Sequence, residues 1–148
     1  MLNKKNILIA GLFVVTGITQ LSAKEPRTAP QLFAKKCAMC HTVGKPKKKS
    51  DKAKIVAPPI DVAMRGVVIT VDAVDGPFQG DGLKEESIAV LKDYIYSPSI
   101  EKSGCEDKVL NKFGLMPSLK GFITPKELDI LIPWVYDKYK PIKKDGKY

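Results

Sequence analysis

The spacing of apolar residues predicts a mainly helical chain. Apolar positions recur at intervals of three and four in four segments. These are a short one that ends at Cys37, then 85–97, 107–112 and 124–139. The last has the clearest start, because Thr124-Pro125-Lys126-Glu127 combines a capping box with a proline at the first helical position. Pro133 lies inside that helix and predicts a kink.

Three segments depart from this pattern. Residues 45–54 hold six lysines in ten positions and predict a polar loop, and Pro58-Pro59 predicts a stiff extended piece. Between 66 and 82, a β-prone run is followed by glycine-rich turn signals. We therefore expect a short β-hairpin or an irregular loop near 66–82, and the residues do not choose between the two.

The N-terminus has the layout of a secretory signal peptide. Lys4 and Lys5 precede an apolar run of 12 residues, 7–18, and small residues lead to Ala23. Cleavage after Ala23 predicts a single domain of 24–148, with a core at 28–139 and a basic tail at 140–148. The run is shorter than the roughly 18–20 residues that span a bilayer, so we expect a periplasmic protein with no stable membrane span. An uncleaved anchor stays open, since Leu21 is an imperfect residue before the cut.

The charge is strongly basic. The whole chain has a formal net charge of +9, and the chain without 1–23 has +7. Excess positive charge favours encounter with acidic surfaces. No nucleic-acid motif accompanies it, so acidic protein partners are expected and nucleic acid is not. The lysine-rich loop at 45–54 is either a solvated loop or a docking patch for such partners.

Cys37-Ala38-Met39-Cys40-His41 is the motif that carries chemistry. Its spacing is that of covalent haem c attachment, in which the two thiols form thioethers and the histidine becomes the proximal iron ligand. A thioredoxin-like site would follow a buried strand, and none is predicted here. A zinc site with Cys105 would require the neighbours Cys40 and His41 to face one tetrahedral ion. A simple disulfide would leave the histidine unexplained.

The second axial ligand is chosen from few donors. His41 is the only histidine, so a bis-histidine haem within one chain is excluded. Met116, stiffened by Pro117 in a loop after Gly114, is the favoured ligand, while Met64, Cys105 and an open or lysine-bound iron remain alternatives. Histidine–methionine ligation raises the reduction potential and leaves no free coordination position. That favours electron transfer over catalysis, so no enzyme is predicted.

The order of elements over 28–139 resembles that of a class I monohaem cytochrome c. It consists of a helix, the haem motif, the proline loop, the Met-Pro loop and the C-terminal helix. The resemblance implies a fold of three to five helices around one haem. It also implies that Phe33 and Ala29 pack against Trp134, that the Pro58 carbonyl binds the His41 ring, and that Arg65 lies near a haem propionate. Arg65 is one residue closer to Pro58 than in that family. The segment 66–82, Pro133 and Cys105 are further departures.

The function expected from these features is single-electron transfer in the periplasm. A cytochrome subunit of a larger oxidoreductase is the main alternative, and a haem-based sensor or enzyme with a displaceable distal ligand is another. Cys105 is left over from the haem motif. It is either a buried thiol or the site of a disulfide between two chains.

Overall fold

The computed structural model describes residues 27–74, 81–142 and 144. This part of the chain is built from helices and contains no strand, so the expectation of a mainly α protein is confirmed. Five helices have seven or more residues, and α2 and α5 have four each. They are α1 (Ala29–Lys36), α2 (Lys49–Lys52), α3 (Ile60–Val74), α4 (Asp81–Tyr96), α5 (Ile100–Ser103), α6 (Asp107–Phe113) and α7 (Pro125–Tyr139).

The first and last helices pack against each other. The ring of Phe33 in α1 lies 5.6 Å from that of Trp134 and 5.5 Å from that of Tyr139, centroid to centroid. Such tilted aromatic pairs are favourable beyond the area they bury. Arg27 adds an ion pair of 3.0 Å with Glu127 at the start of α7. The contact between Phe33 and Trp134 that the resemblance implies is therefore present.

Helix α7 begins at its predicted cap. The backbone N–H of Thr124 donates to Oε2 of Glu127 at 2.9 Å, and the backbone N–H of Glu127 donates to Oγ1 of Thr124 at 3.3 Å. The helix continues through Pro133 to Tyr139. Its buried face contacts α1, α3 and α4 and so forms the centre of the molecule. That face consists of Leu128, Leu131, Ile132, Val135 and Tyr136.

The prediction of a short β-hairpin or an irregular loop near 66–82 is wrong wherever the structure describes these residues. Residues 66–74 belong to α3, and 81–82 open α4. The β-prone run lies in the middle of α3 because it also has a helical apolar face, and burial of that face outweighs its local preference. The buried apolar residues of α3 are Ile60, Met64, Val67, Val68 and Val71. Residues 75–80 lie outside the described part.

Helix α5 approaches α3 unusually closely. A Cβ atom built on Gly66 would lie 2.7 Å from the backbone oxygen of Gly104, nearer than real Cβ contacts. Gly104 ends α5 with φ +57°, a left-handed conformation that glycine adopts readily. Two glycines thus let the α5 end rest on α3, and this contact determines where the next residue, Cys105, lies.

The polar loop predicted at 45–54 is wrong for four residues, because α2 (Lys49–Lys52) lies inside it, and α5 was not predicted. The other helices follow the sequence more closely. Helix α4 covers the predicted helix at 85–97 except for Ser97, and it begins four residues earlier. Helix α6 ends at Gly114, which has φ +72°. Among the described residues, no helix combines the length and the apolar character that crossing a membrane requires. The predicted signal peptide at 1–23 and most of the basic tail lie outside the described residues.

Candidate functional site

The Cys37–His41 motif forms a turn at the end of α1. The backbone N–H groups of Cys40 and His41 both donate to the carbonyl of Cys37, at 3.1 and 2.9 Å. Cys37 itself closes the helix through its bond to the carbonyl of Phe33. The motif is therefore attached directly to the helix that packs on α7. Cys37 and His41 are half-buried, and Cys40 is exposed.

The ring of His41 has a defined orientation. Its Nδ1 lies 2.8 Å from the carbonyl oxygen of Pro58. Because a carbonyl only accepts, Nδ1 must carry the proton, which leaves the Nε2 lone pair free to bind a metal when the ring is neutral. The loop is held closed by the N–H of Ile60, which donates to the carbonyl of Thr42 at 2.9 Å. This is the contact that the resemblance implies for Pro58. The role of His41 as an iron ligand stays a prediction.

A large cleft lies in front of the motif. It holds about 1200 Å³ of empty space, part of it open to solvent. Its cavity volume proper is about 180 Å³. Most of its lining is apolar and comes from α3, α4, α6 and the loop after α6. The cleft brings together Cys37, Cys40, His41, Pro58 and Met116.

Met116 lies half-buried in the loop between α6 and α7. Two hydrogen bonds fasten this loop to the end of α4. Ser118 Oγ donates to the carbonyl of Tyr96 at 2.8 Å, and the N–H of Leu119 donates to the carbonyl of Ile95 at 2.9 Å. The thioether of Met116 is therefore presented from a restrained loop and not from a packed helix.

The alternative donors Met64 and Cys105 line the same cleft. Met64 is 1% exposed and belongs to the core between α3, α4 and α7. Withdrawing it to bind iron would leave a void in the core, and voids are costly. Cys105 is half-buried beside the contact between α5 and α3. The packing of the core thus favours Met116 over Met64, while Cys105 remains a second sulfur donor in the cleft.

Burial affects the thiols of the cleft. It raises the pKa of Cys37 to about 11, with a smaller contribution from the neighbouring thiol of Cys40. Burial also raises the pKa of Cys105, although a hydrogen bond with Ser103 acts in the opposite direction. Both groups are therefore protonated at neutral pH in the folded chain, and protonated thiols react slowly. Burial thus slows the formation of a disulfide between two folded copies through Cys105.

Arg65 is the predicted site residue that the cleft does not include. It lies exposed on α3 and does not line the cleft. Its charge instead acts on Glu106, whose pKa is lowered mainly by Lys108 and in small part by Arg65. The placement of Arg65 beside a propionate stays a prediction, and the position of its side chain does not support it.

The zinc alternative requires three or more donors gathered in one place. Among the described residues, no group of three or more histidine, cysteine, aspartate or glutamate side chains is arranged to hold a metal ion. Cys105 therefore does not join the Cys37–His41 motif in such a group.

Tyr94 is a cleft residue that sequence reasoning missed. It lines the cleft from α4. Burial raises its pKa, as does the nearby Cys105, whereas a hydrogen bond with the backbone of Met116 lowers it. Its position three residues after Leu91 on the apolar face of α4 was the available signal. Tyr94 thus connects the wall of the cleft to the methionine loop.

Comparison with known proteins gives one informative match. No family model matches the chain, and no solved structure matches it. An uncharacterized protein of Aquifex aeolicus (strain VF5) is 30% identical over 120 residues, which cover 74% of this chain and 72% of that protein. At this identity and coverage, the chain belongs to the same family as the Aquifex protein.

Proposed function

We propose that this protein is a periplasmic single-electron carrier that holds one haem c. Cys37 and Cys40 would attach the haem covalently, and His41 and Met116 would be the axial ligands of its iron. The observation that supports this most is the convergence of these four residues on one large apolar cleft. A haem-attachment motif folded away from any cavity would have argued against it.

The residues of the cleft fit a haem. A porphyrin needs an apolar enclosure, and in cytochromes c a histidine and a methionine hold its iron. The chain offers a wall of aliphatic side chains, an imidazole with Nε2 available, and a methionine on a restrained loop. When bound, the haem iron supplies reversible one-electron oxidation and reduction. The protein's own contribution is to bind, orient and exclude water.

The donor set favours a carrier over an enzyme. If His41 and Met116 both held the haem iron, no coordination position would be left for a substrate. The Pro58 carbonyl holds the His41 ring in one orientation and would make it a more basic ligand. We therefore propose a cytochrome c fold for the helical domain, with no catalytic residue.

The proposed location and partners follow from the sequence features. The signal-like residues 1–23 support export to the periplasm, where the attached haem consumes two of three thiols. The positive charge of the chain supports transient, salt-sensitive docking to acidic redox proteins. No stable membrane span is proposed once the signal is removed.

The attachment chemistry is tested by expressing the protein in a host that matures c-type cytochromes in its periplasm. After denaturation and extraction with acidified organic solvent, wild type should keep its haem, because thioethers survive this treatment. The double variant Cys37→Ser/Cys40→Ser should lose it. Cys105→Ser is the matched control and should keep haem as wild type does. A wild-type chain that releases all its haem, or never acquires any, would contradict the proposal.

A further inference from the structure

The methionine loop, residues 115–123, joins α6 to α7 and contacts the C-terminal end of α4. That end is fixed by Ser97-Pro98, because proline has no N–H and disfavours helical backbone in the residue before it. The last carbonyl groups of a helix have no partner within it and need donors from elsewhere. At the end of α4, the carbonyls of Ile95 and Tyr96 take their donors from the methionine loop.

Tyr96, the last residue of α4, binds the methionine loop at two points. Its carbonyl accepts the bond from Ser118 Oγ at 2.8 Å, two residues after Met116. Its hydroxyl donates to the carbonyl of Ile123 at 2.8 Å, where the loop ends. Tyr96 is half-buried and packs against the core, so the core holds the ring that carries this hydroxyl.

Between these two points the loop forms a closed turn. The N–H of Ile123 donates to the carbonyl of Leu119 at 3.1 Å. Gly121 lies inside the turn with φ +85°, a conformation that glycine adopts readily. Ile123 is 3% exposed, and Leu119 also packs against the core. The segment 118–123 is therefore one restrained unit, and its position determines that of Met116.

The residues on the other side of Met116 are held less firmly. Leu115 is 41% exposed, and Gly114 ends α6 with φ +72° and with open space where a side chain would lie. Tyr94 adds a hydrogen bond with the backbone of Met116 from the wall of the cleft. Met116 is therefore restrained mainly from its C-terminal side, where Tyr96 binds the loop.

Of the two side-chain bonds at this point, water replaces that of the Tyr96 hydroxyl less easily. The bond is partly buried, and its acceptor belongs to Ile123 in the core. The bond from Ser118 is exposed. A buried carbonyl that loses its donor costs more free energy than a carbonyl that water can reach. Loss of the Tyr96 hydroxyl should therefore release the loop more than loss of the Ser118 hydroxyl.

We propose that Tyr96 is a positioning residue that holds Met116 in the cleft and thereby excludes external ligands. Tyr96 does not line the cleft, so it acts through the methionine loop and not by direct contact. The inference rests on the proposed function, in which Met116 is the second axial ligand of a haem iron. A small neutral donor could then bind only when the methionine loop leaves the end of α4.

The probe is imidazole, added to the oxidised, matured protein and followed through loss of the weak red methionine-to-iron charge-transfer band. Its apparent affinity reports the fraction of molecules in which Met116 is released, because only these can bind it. Tyr96→Phe keeps the ring and removes the hydroxyl, so it should raise this affinity about tenfold. Ser118→Ala should raise it about threefold at most. Ser118→Thr, which keeps a hydroxyl, should bind imidazole as wild type does.

Two controls separate this effect from a general loss of stability. Tyr139→Phe removes a hydroxyl from a ring that packs on Phe33, outside the cleft. Val71→Ala opens a void at a buried position of α3 that does not line the cleft. Neither should change the imidazole affinity. Wild-type affinity in Tyr96→Phe, or an equal rise in the controls, would overturn the role of Tyr96.

Hydrogen exchange, measured by mass spectrometry, gives a second readout that does not depend on the iron. Tyr96→Phe should speed exchange in a peptide that covers 115–123 and leave exchange in α1 unchanged. Unchanged exchange in the loop peptide would contradict anchoring by the hydroxyl. Absence of haem from wild type would instead overturn the proposed function, and the exchange experiment would still test the anchor.

Discussion

Gly66 illustrates how a single residue determines the wall of the cleft. It lies in the middle of α3, where glycine normally destabilises a helix. Its missing side chain leaves room for the backbone of Gly104, and the chain then leads directly to Cys105 in the cleft. The helix therefore accepts a poor helix former in exchange for a close contact with α5.

Gly66→Ala should lower the free energy of unfolding by about 1–3 kcal/mol. In an open helix the same substitution would raise it by about 0.5–1 kcal/mol, so the sign of the change reports the contact. The added Cβ would meet backbone, which cannot rotate away as a side chain can. Urea unfolding of both proteins measures the difference, and a stabilised variant would show that α5 does not rest on α3.

Phe33 is a second single residue on which the fold depends, because its ring joins α1 to α7. It is 5% exposed and contacts the rings of Trp134 and Tyr139. Phe33→Ala should cost about 3–5 kcal/mol and alter the fluorescence of Trp134, the sole tryptophan. Phe122→Ala removes an equally large ring that is 44% exposed and should cost far less. Similar losses in the two variants would mean that the contact between the helices is not formed.

At the scale of elements, α7 begins with a cap whose strength depends on pH. The backbone N–H of Thr124 lowers the pKa of Glu127, with further help from the Thr124 hydroxyl, Lys36 and Arg27, while slight burial opposes them. A carboxyl with a lowered pKa in the folded state stabilises the fold above its unfolded pKa. That contribution disappears as the pH falls through the folded pKa.

Glu127→Gln should therefore be less stable than wild type at neutral pH, with the two proteins converging in acid. The convergence should begin below about pH 4, near the ordinary pKa of glutamate. Thermal unfolding at a series of pH values measures the difference. A gap between the two proteins that stays constant down to the lowest pH would show that the carboxylate charge contributes nothing to the cap.

The elements also show what sequence reasoning can and cannot predict. The cap of α7 depends on near neighbours, and it was predicted. The run Val67–Val71 was not, because β-branched residues favour strands locally and only packing against α4 and α7 makes α3 the better choice. The contact between Gly66 and Gly104 joins residues that are distant in the chain, so no local pattern signals it.

The candidate site was likewise predicted only in part. The motif at Cys37–His41 and the methionine at 116 are visible as spacings, and the bond between His41 and Pro58 agrees with the resemblance. Tyr94 was missed, because its place in the cleft depends on which side chains the fold gathers. The role of Arg65 was implied only by the resemblance, from which its spacing departs, and Arg65 does not line the cleft.

At the scale of the whole molecule, the net positive charge predicts the salt dependence of encounter. Oxidation of the reduced protein by hexacyanoferrate(III), an anion, should slow as ionic strength rises, because screening weakens the attraction. With a cationic oxidant the rate should rise instead, and that reagent is the control. Stopped-flow absorbance measures both rates. Rates that do not change with salt for either reagent would contradict electrostatic steering.

Ligation by Met116 is tested most directly by the optical spectrum of the oxidised, matured protein beside that of two variants. Wild type and Met64→Leu should both show the weak red methionine-to-iron charge-transfer band, because Met64 serves the core, and Met116→Ala should lose it. That result would establish ligation by Met116 and support an electron carrier. A band that is absent from wild type, or that survives in Met116→Ala, would contradict the central claim.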